Sequence, residues 1–563
     1  MNALLILLIS IVCLFFGYIL YGRWLAKIWG LDDKNITPAH AFNDGNDYCP
    51  AKAPVLLGHH FSSIAGAGPI NGPIQAAVFG WLPVLLWIII GGIFFGAVHD
   101  FGSLFASIRN KGQSIGEVIN KNIGKRAKKL FIIFAYLVLV LVVAAFASIV
   151  ASTFNGFDAA GATVLANGRT ASISMLFIVL AIIFGYMVYR RNTSLTVSTV
   201  LGVIGIILIV IIGMNFPIYL KNNTWIIILG IYILVASVAP VWILLQPRDY
   251  LSSFLLYFMM AVAFFGILFA HPVLDIPAFT GFSDSLTNLG GIFPALFVTI
   301  ACGAISGFHS LVSSGTTSKQ LNTEKNALPI AYGGMLLECV LATVALIAVG
   351  YCWANYSLTD GSAIRTPTVV FASGISQMIT TIPFAANWGD ILYSLLVLAV
   401  SVFCLTSLDT ATRLARYMFQ EFWLEDGETV KSVSGYRAVL CNPYVATLIT
   451  VFLGVGLSLT GWDKIWPLFG AANQLLAALA LLAVACWLGK MGKNNKMLFL
   501  PMLFMLIVTL TSLAITIKTK FGLIIAGSGT VDAYLQGFIA AFLFVLAFIL
   551  AFEGLSALIK QKN

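Results

Sequence analysis

The sequence has very little charge for its length. Only 9% of its 563 residues are Asp, Glu, Lys or Arg, whereas 60% are hydrophobic and the mean hydropathy is +0.97. Soluble domains carry about 25% charged residues, so this composition excludes a soluble protein and indicates an integral membrane protein. The net charge of +9 lies mostly in short segments between apolar runs. That distribution is typical of membrane topology and does not favour nucleic-acid binding.

Motifs of enzymes and of metal sites are also missing. The sequence has no G-x-S-x-G, H-E-x-x-H or G-x-x-x-x-G-K-[ST] motif, so we expect neither a catalytic centre nor a nucleotide-driven pump. None of its 8 cysteines forms a C-x-x-C pair. We therefore predict buried thiols without disulfides, and neither a bound metal nor another cofactor.

Long apolar runs fill most of the chain. About fifteen of them are long enough to cross a bilayer, because a spanning helix needs about 20 residues. The first run lacks the charged start and cleavage site of a signal peptide, so we predict a retained spanning helix. The fold class predicted is an all-α polytopic membrane protein with spans at approximately 2–22, 54–79, 81–108, 130–153, 171–189, 195–219, 224–246, 250–270, 291–318, 327–353, 387–409, 440–460, 465–488, 497–518 and 533–558.

Basic residues predict the orientation of the spans. The segment 109–129 contains seven Lys or Arg residues, and basic loops face the cytoplasm. Counting spans outward from this segment leaves the N-terminus outside and the C-terminus in the cytoplasm. The same count puts the other basic clusters on the cytoplasmic side: Arg23 and Lys27, Arg190 and Arg191, Arg248, Lys319 and Lys325, Arg413 and Arg416, Lys490, Lys493 and Lys496, and Lys560 and Lys562.

Two segments rich in Gly, Ser and His interrupt these spans: GHHFSSIAGAGPINGPIQ at 58–75 and ACGAISGFHSLVSSGTTSKQ at 301–320. Lipid cannot hydrogen-bond a backbone, so unwound segments persist only inside protein or beside a cavity. Paired breaks indicate a transporter's binding site, whereas close helix packing and hydroxyls bonded to the preceding turn are the alternatives. The candidate substrate-binding residues in the two segments are His60, Ser62, Ser63, Gly66, Gly68, Asn71, Gln75, His309, Ser310, Ser313, Ser314 and Thr316.

The two broken segments have opposite predicted directions, because an odd number of spans separates their starting points. Two such segments are what an inverted repeat produces, here a core of five plus five spans with peripheral helices. The predicted organisation is an N-terminal helix and loop at 1–52, a first repeat at 53–220, two inserted helices at 221–290, a second repeat at 291–489 and two peripheral helices at 490–563.

Ionisable residues inside spans are costly and therefore functional candidates. His99, Asp100 and Glu338 are candidates for proton coupling, with structural ion pairs or helix-helix hydrogen bonds as the alternatives. Asp409 shares one helix face with Arg413 and Arg416, which predicts an intrahelical ion pair or a gate contact. Two amides, Asn473 and Gln474, interrupt another span and either line the pathway or bond a facing helix; we count Asn473 among the substrate-binding candidates.

Five stretches of the chain, in sequence order, are AHAFNDGNDYCPAKAPVLLGHHFSSIAGAGPINGP, GAVHDFGSLFASIRNKGQSIGE, ACGAISGFHSLVSSGTTSKQL, LTSLDTATRLARYMFQE and WPLFGAANQLLAALALL. Taken together in this order, they resemble the carbon starvation protein A family of bacterial inner-membrane transporters. The resemblance implies secondary transport of peptides or of pyruvate, induced when preferred carbon runs low. It also implies the five-plus-five inverted repeat of the larger transporter group in which the family is placed.

The predicted function is therefore a proton-coupled importer of peptides in the cytoplasmic membrane. A proton-coupled importer of pyruvate is the alternative. A channel is less favoured because polarity concentrates in two segments, and a nutrient receptor because no sizeable cytoplasmic domain is present; a membrane enzyme is the least favoured. The partners expected are a small-molecule substrate, protons or another coupling ion, and the lipid bilayer, without nucleic acid.

Overall fold

The computed structural model describes residues 2–45, 47–158, 160–191, 193–287, 289–359, 362–425 and 428–562, without the side chains of 561 and 562. Across these ranges the chain folds into α-helices with short 3₁₀ and π-helical turns, and its β pairings are isolated bridges. The predicted all-α class is confirmed. All eight cysteines are free thiols; six are buried, and Cys13 and Cys49 are half-buried.

The first half of the chain contains two long helices that continue through π-helical turns. These turns lie at Gly17–Gly22, between α1 and α2, and at Gly92–Gly96, between α6 and α7. The helices of this half are α1 (Ala3–Phe16), α2 (Arg23–Trp29), α3 (Pro38–Ala41), α4 (Ala53–Ala65), α5 (Gly68–Ala76), α6 (Trp81–Gly91), α7 (Ala97–Arg109), α8 (Ile115–Asn122), α9 (Lys125–Phe154), α10 (Leu165–Tyr189), α11 (Leu195–Asn215) and α12 (Asn222–Val238).

The second half has a similar mixture of long and interrupted helices. A π-helical turn at Leu328–Tyr332 leads directly into α16. The helices are α13 (Leu245–Ala270), α14 (Ile292–Thr299), α15 (Gly307–Gly315), α16 (Gly333–Tyr351), α17 (Trp353–Tyr356), α18 (Pro367–Thr380), α19 (Gly389–Trp423), α20 (Tyr436–Leu440), α21 (Pro443–Ser458), α22 (Trp462–Lys490), α23 (Phe499–Ile525) and α24 (Val531–Lys562).

Eleven helical stretches of the described chain are long and apolar enough to cross a membrane. The helices α12 and α21 are apolar but shorter, and α4–α5 and α14–α15 are broken. Including those four segments would give the predicted fifteen spans, a count that stays a prediction. The central stretch of α22 is fully buried, whereas α11 exposes most of its apolar side chains, as a lipid-facing helix does.

Both predicted breaks are present. The first lies between α4 and α5, where Gly66 adopts a φ of +43°, a left-handed conformation that favours glycine. The second spans residues 300–306, between α14 and α15. The first half of one broken helix, α4, contacts the second half of the other, α15. The second half α5 likewise contacts the first half α14, so the two broken helices run antiparallel.

The broken helices approach each other through glycine. A Cβ on Gly68 would overlap the side chain of Cys302, and one on Gly72 would lie 2.7 Å from the carbonyl oxygen of Thr299. Neither position therefore has room for a side chain. The contact between the breaks depends on these two glycines.

The sequence prediction was wrong in two connecting regions. It left residues 354–386 as a loop, but α17 and the buried helix α18 lie there. It also ended one span at 409, whereas α19 continues to Trp423 and buries Arg413 and Arg416. Packing of α18 against α16 and α19 explains why so short a helix forms.

Several interhelical loops meet at one end of the bundle, which we call the basic face. Arg109, the last residue of α7, contacts Glu324, after α15, with an N–O distance of 2.6 Å. The backbone N–H of Asp32, after α2, donates to the same Glu324 carboxylate at 3.1 Å. These loops therefore lie together at one end of the bundle, and the predicted parity of the spans stays a prediction.

We expect Gly72→Ala to destabilise the protein, because the new methyl group would overlap backbone of the second broken helix. Overpacking of this kind costs about 1–3 kcal/mol in the free energy of unfolding. The measurement is thermal unfolding of the detergent-solubilised protein. Gly456→Ala is the matched control, because a Cβ there meets no atom within 4 Å. Equal melting temperatures for the two variants would contradict the close contact between the breaks.

Candidate transport site

The half-helices α5 and α15 both begin at a break. Their N-termini, at Gly68 and Gly307, carry backbone N–H groups that have no partner within the helix. The positive end of a helix dipole favours an anionic group. Since the breaks contact each other, the two N-termini form one buried region suited to a carboxylate.

The second break is held by two amides of α22. Asn473 Oδ1 accepts a hydrogen bond from the backbone N–H of Phe308 at 2.8 Å, and its Nδ2 donates to Ser306 Oγ at 3.0 Å. Gln474 Nε2 donates to the carbonyls of Phe297 and Ile300. These bonds supply partners for backbone groups that lipid could not satisfy. Asn473 thus caps α15 from another helix.

Four ionisable side chains form a buried chain beside the second break. Asp100 lies in the middle: its Oδ1 is 2.7 Å from His99 Nδ1, and its Oδ2 is 2.8 Å from His309 Nδ1. His309 Nε2 lies 3.5 Å from Glu338 Oε2. All four residues are fully buried, on α7, α15 and α16. The structure thus brings together the three predicted proton-coupling residues and His309.

Cys302 extends this cluster. Its Sγ, an imidazole nitrogen of His309 and a carboxylate oxygen of Glu338 lie within 4.8 Å of one another, and in the described part of the chain this is the only such group that could hold a metal ion. His309 already directs its other ring nitrogen to Asp100. The absence of a bound metal stays a prediction.

Several predicted binding residues have polar atoms that make no hydrogen bond to any described residue. They are Nε2 of His60, Oδ1 of Asn71, Nε2 of Gln75 and Oγ of Ser313, and all four atoms are buried. The other ring nitrogen of His60 lies 2.8 Å from the hydroxyl of Thr317. A buried polar atom without a partner needs an explanation, and a role of these four atoms in substrate binding stays a prediction.

Other predicted hydroxyls are already bonded inside the protein. Ser310, Ser314 and Thr316 each donate to a carbonyl of the preceding turn, at 2.7 to 2.9 Å. Ser62 donates to the carbonyl of Asp249 at 3.3 Å, and Ser63 to its carboxylate at 3.4 Å. A role of these five in binding stays a prediction.

A cavity of about 160 Å³ lies beside α14 and is lined by Gln75, Pro294, Val298, Thr299 and Trp466, among others. Its rim includes Leu289, whose loop is fixed by the Asp284 carboxylate. Burial would raise the pKa of Asp284, but hydrogen bonds from Thr287, Leu289 and Leu286 hold it below its ordinary value. The cavity reaches Thr299, at the edge of the second break.

A second buried charged cluster was not expected from the sequence. Arg248 was predicted in a cytoplasmic loop, but it is fully buried in the first turn of α13. It contacts Asp409 of α19 and its neighbour Asp249. The predicted intrahelical pair of Asp409 is therefore wrong, because Arg413 donates instead to the carbonyls of Ala236 and Ala239.

Sequence reasoning also missed Asp249 and Cys302. Asp249 follows Arg248 between two predicted spans, and two adjacent charged residues at such a position predict a loop. Cys302 resembles any other cysteine in an apolar run. The one usable signal was that Cys302 is the second residue of the second broken segment and precedes a glycine.

Comparisons with known proteins identify the family of this chain. The profile of the carbon starvation protein CstA family matches residues 2–363 and 360–512. The peptide transporter CstA of Campylobacter jejuni is 35% identical, with 90% of this chain and 79% of the relative covered. The peptide transporter CstA of Escherichia coli is 33% identical, with 91% and 80% covered. The pyruvate/proton symporter BtsT of Escherichia coli is 31% identical, with 88% and 78% covered.

A solved structure shares the fold. A manganese transporter of Eremococcus coleocola aligns with a TM-score of 0.52 at 12% identity and covers 92% of this chain and 99% of its own. At that identity the likeness supports the fold alone. On the family match and these relatives, the chain belongs to the carbon starvation protein CstA family and is a multi-pass transporter of the bacterial inner membrane.

Proposed function

We propose that this protein imports peptides by proton-coupled secondary transport and binds them where the two discontinuous helices break. The observation that carries the proposal is the contact between the breaks, at which α5 and α15 both begin. A peptide carboxylate suits the positive ends of these half-helices. Curated relatives named as peptide transporters support this substrate class.

Pyruvate is the second candidate substrate. One relative is named a pyruvate/proton symporter, and pyruvate carries the same carboxylate group. A small substrate would need fewer polar contacts than a peptide, which also presents an ammonium group and an amide. The buried atoms of Asn71, His60 and Ser313 offer such additional contacts and favour the peptide.

Alternating access would follow from an inverted repeat of residues 53–220 and 291–489. Support comes from the matching order of elements. Each proposed repeat starts with a broken helix, α4–α5 or α14–α15, followed by a long helix and a short one, α8 or α18. The long helices α9 and α19 come next and pack against each other. Residues 1–52, 221–290 and 490–563 would flank this core.

The proposal includes the orientation of the chain in the membrane and the absence of an enzymatic activity. The basic face would be cytoplasmic under the positive-inside rule, with the N-terminus outside and the C-terminus inside. The transport cycle needs no covalent step, because substrate and ion gradients supply the driving force. We therefore propose that the protein is not an enzyme.

Proton coupling would use the chain from His99 through Asp100 and His309 to Glu338. The four groups lie on three helices, one of them the broken α15, so a proton moving between them would alter contacts at the break itself. Intramembrane carboxylates and imidazoles are the usual proton carriers of transporters. The relative named a proton symporter supports protons as the coupling ion.

The substrate proposal is tested by uptake into proteoliposomes. We expect a labelled dipeptide to accumulate above its external concentration when the outside is acidic, and a protonophore to abolish this accumulation. Protein-free liposomes are the control. Accumulation of pyruvate without the dipeptide would establish the alternative, and accumulation of neither would refute the coupled-transport proposal.

The proton-coupling proposal is tested with Glu338→Gln. This variant keeps the size of the side chain but cannot carry the proton, so we expect exchange of substrate across the membrane to persist while accumulation driven by a pH gradient falls at least about tenfold. Thr343→Val is the matched control, because Thr343 is also buried on α16 and bonds only the carbonyl of Cys339. Unchanged pH dependence in Glu338→Gln would exclude Glu338 as the carrier.

A further inference from the structure

Arg248 is the centre of a buried network that the proposed function has not used. Its Nη1 donates to the carboxylate of Asp409 and to the hydroxyl of Tyr232, and its Nη2 lies 3.2 Å from Asp249 Oδ1. The Tyr232 hydroxyl also donates to Asp409 at 2.6 Å. One cation therefore joins α12, α13 and α19, and we call these four residues with His59 the Arg248 network.

His59 connects the network to the first broken helix. Its Nδ1 lies 2.7 Å from Asp249 Oδ2, and Ser63, on the same helix, donates to that oxygen at 3.4 Å. Ser63 precedes Gly66 by less than one helical turn. The network therefore contacts α4 immediately before the break, on the side of the basic face.

A polar path leads from His59 to the basic face. Gln320 Nε2 lies 3.5 Å from His59 Nε2, and Gln246 donates to Gln320 at 2.8 Å. Gln246 in turn lines a cavity of about 270 Å³ at that face, together with Gly45, Cys49, Tyr189, Arg190 and Trp242. The Arg248 network thus lies between this cavity and the break.

A gate closed by buried ions opens at a smaller free-energy cost than one closed by apolar surfaces. Separating two apolar surfaces exposes them to water, which costs about 25 cal/mol of free energy per Å² of apolar area. Buried ions recover hydration when water enters, which offsets most of the lost attraction, so an ion network can open at a small net cost. Asp409 Oδ1 and Arg248 Nε have no hydrogen-bond partner among the described residues and would gain water on opening.

We propose that the Arg248 network is the cytoplasmic gate, which closes the path between the break and the cavity at the basic face and separates when substrate is released. This inference rests on the proposed transport function. Within it, Arg248 is a positioning residue: it holds α4 through Asp249 and holds α19 through Asp409. Sequence reasoning named a gate contact for Asp409 but not its partner.

The test measures access to the break from the cytoplasmic side. A cysteine introduced by Ala67→Cys in a version without native cysteines reports access, because Ala67 is buried between α4 and α5 and outside the network. In inside-out vesicles, we expect Arg248→Ala and Asp409→Asn to raise its labelling rate by a membrane-impermeant maleimide at least about tenfold.

Arg413→Ala is the matched control. It removes another buried guanidinium from the same region, but one that bonds backbone carbonyls and not a carboxylate. Labelling in Arg413→Ala should equal that of the parent. An unchanged rate in Asp409→Asn, or an equal rise in Arg413→Ala, would overturn the gate.

If Arg248→Ala does not fold, the gate can be tested with a double variant that exchanges the charges of Arg248 and Asp409. Arg248→Asp combined with Asp409→Arg should return labelling to near the parent rate, whereas fast labelling of a folded double variant would argue against an ionic closure. Folding is checked by size-exclusion chromatography of each variant. Labelling requires no transport, so it can fail while the uptake assay succeeds, and the reverse also holds.

Discussion

The bilayer core offers no hydrogen bonds, and the central architecture of this protein depends on that constraint. Breaking a helix at membrane depth leaves backbone groups that only protein or substrate can satisfy. Asn473 and Gln474 supply such partners at the second break, and the glycines at 68 and 72 let the first break approach it. The region left between the half-helices is therefore both unwound and enclosed, as a binding site for a small polar molecule requires.

The same constraint explains where the charges lie. Two clusters of buried ionisable groups lie beside the breaks, one around Asp100 and His309 at the second break and one around Arg248 and Asp409 at the first. Each cluster joins a broken helix to unbroken ones. We infer that the first moves protons and the second closes the cytoplasmic path, so each broken helix would be controlled by its own set of charges.

The local composition of the sequence was sufficient to predict the helix breaks and the long spans. Glycine and proline reveal the breaks, and apolar length reveals the long spans. The buried helix α18 was missed because its Ser, Thr, Gly and Gln residues read as a loop, and its formation depends on packing against α16 and α19. The position of Arg248 was wrong because its partner Asp409 lies 161 residues away, a pairing that only the tertiary structure reveals. For the same reason the sequence suggested His99 together with Asp100, and His309 and Glu338 each alone, but not the four residues as one chain.

The central claim is that a peptide and a proton enter together through the two breaks. The most direct measurement is the electrical current that follows addition of a zwitterionic dipeptide to proteoliposomes on a solid-supported membrane. Such a dipeptide carries no net charge, so any current reports the coupled ion. The account predicts an inward positive current that persists without sodium and grows with external acidity. Entry of labelled dipeptide without current would contradict it.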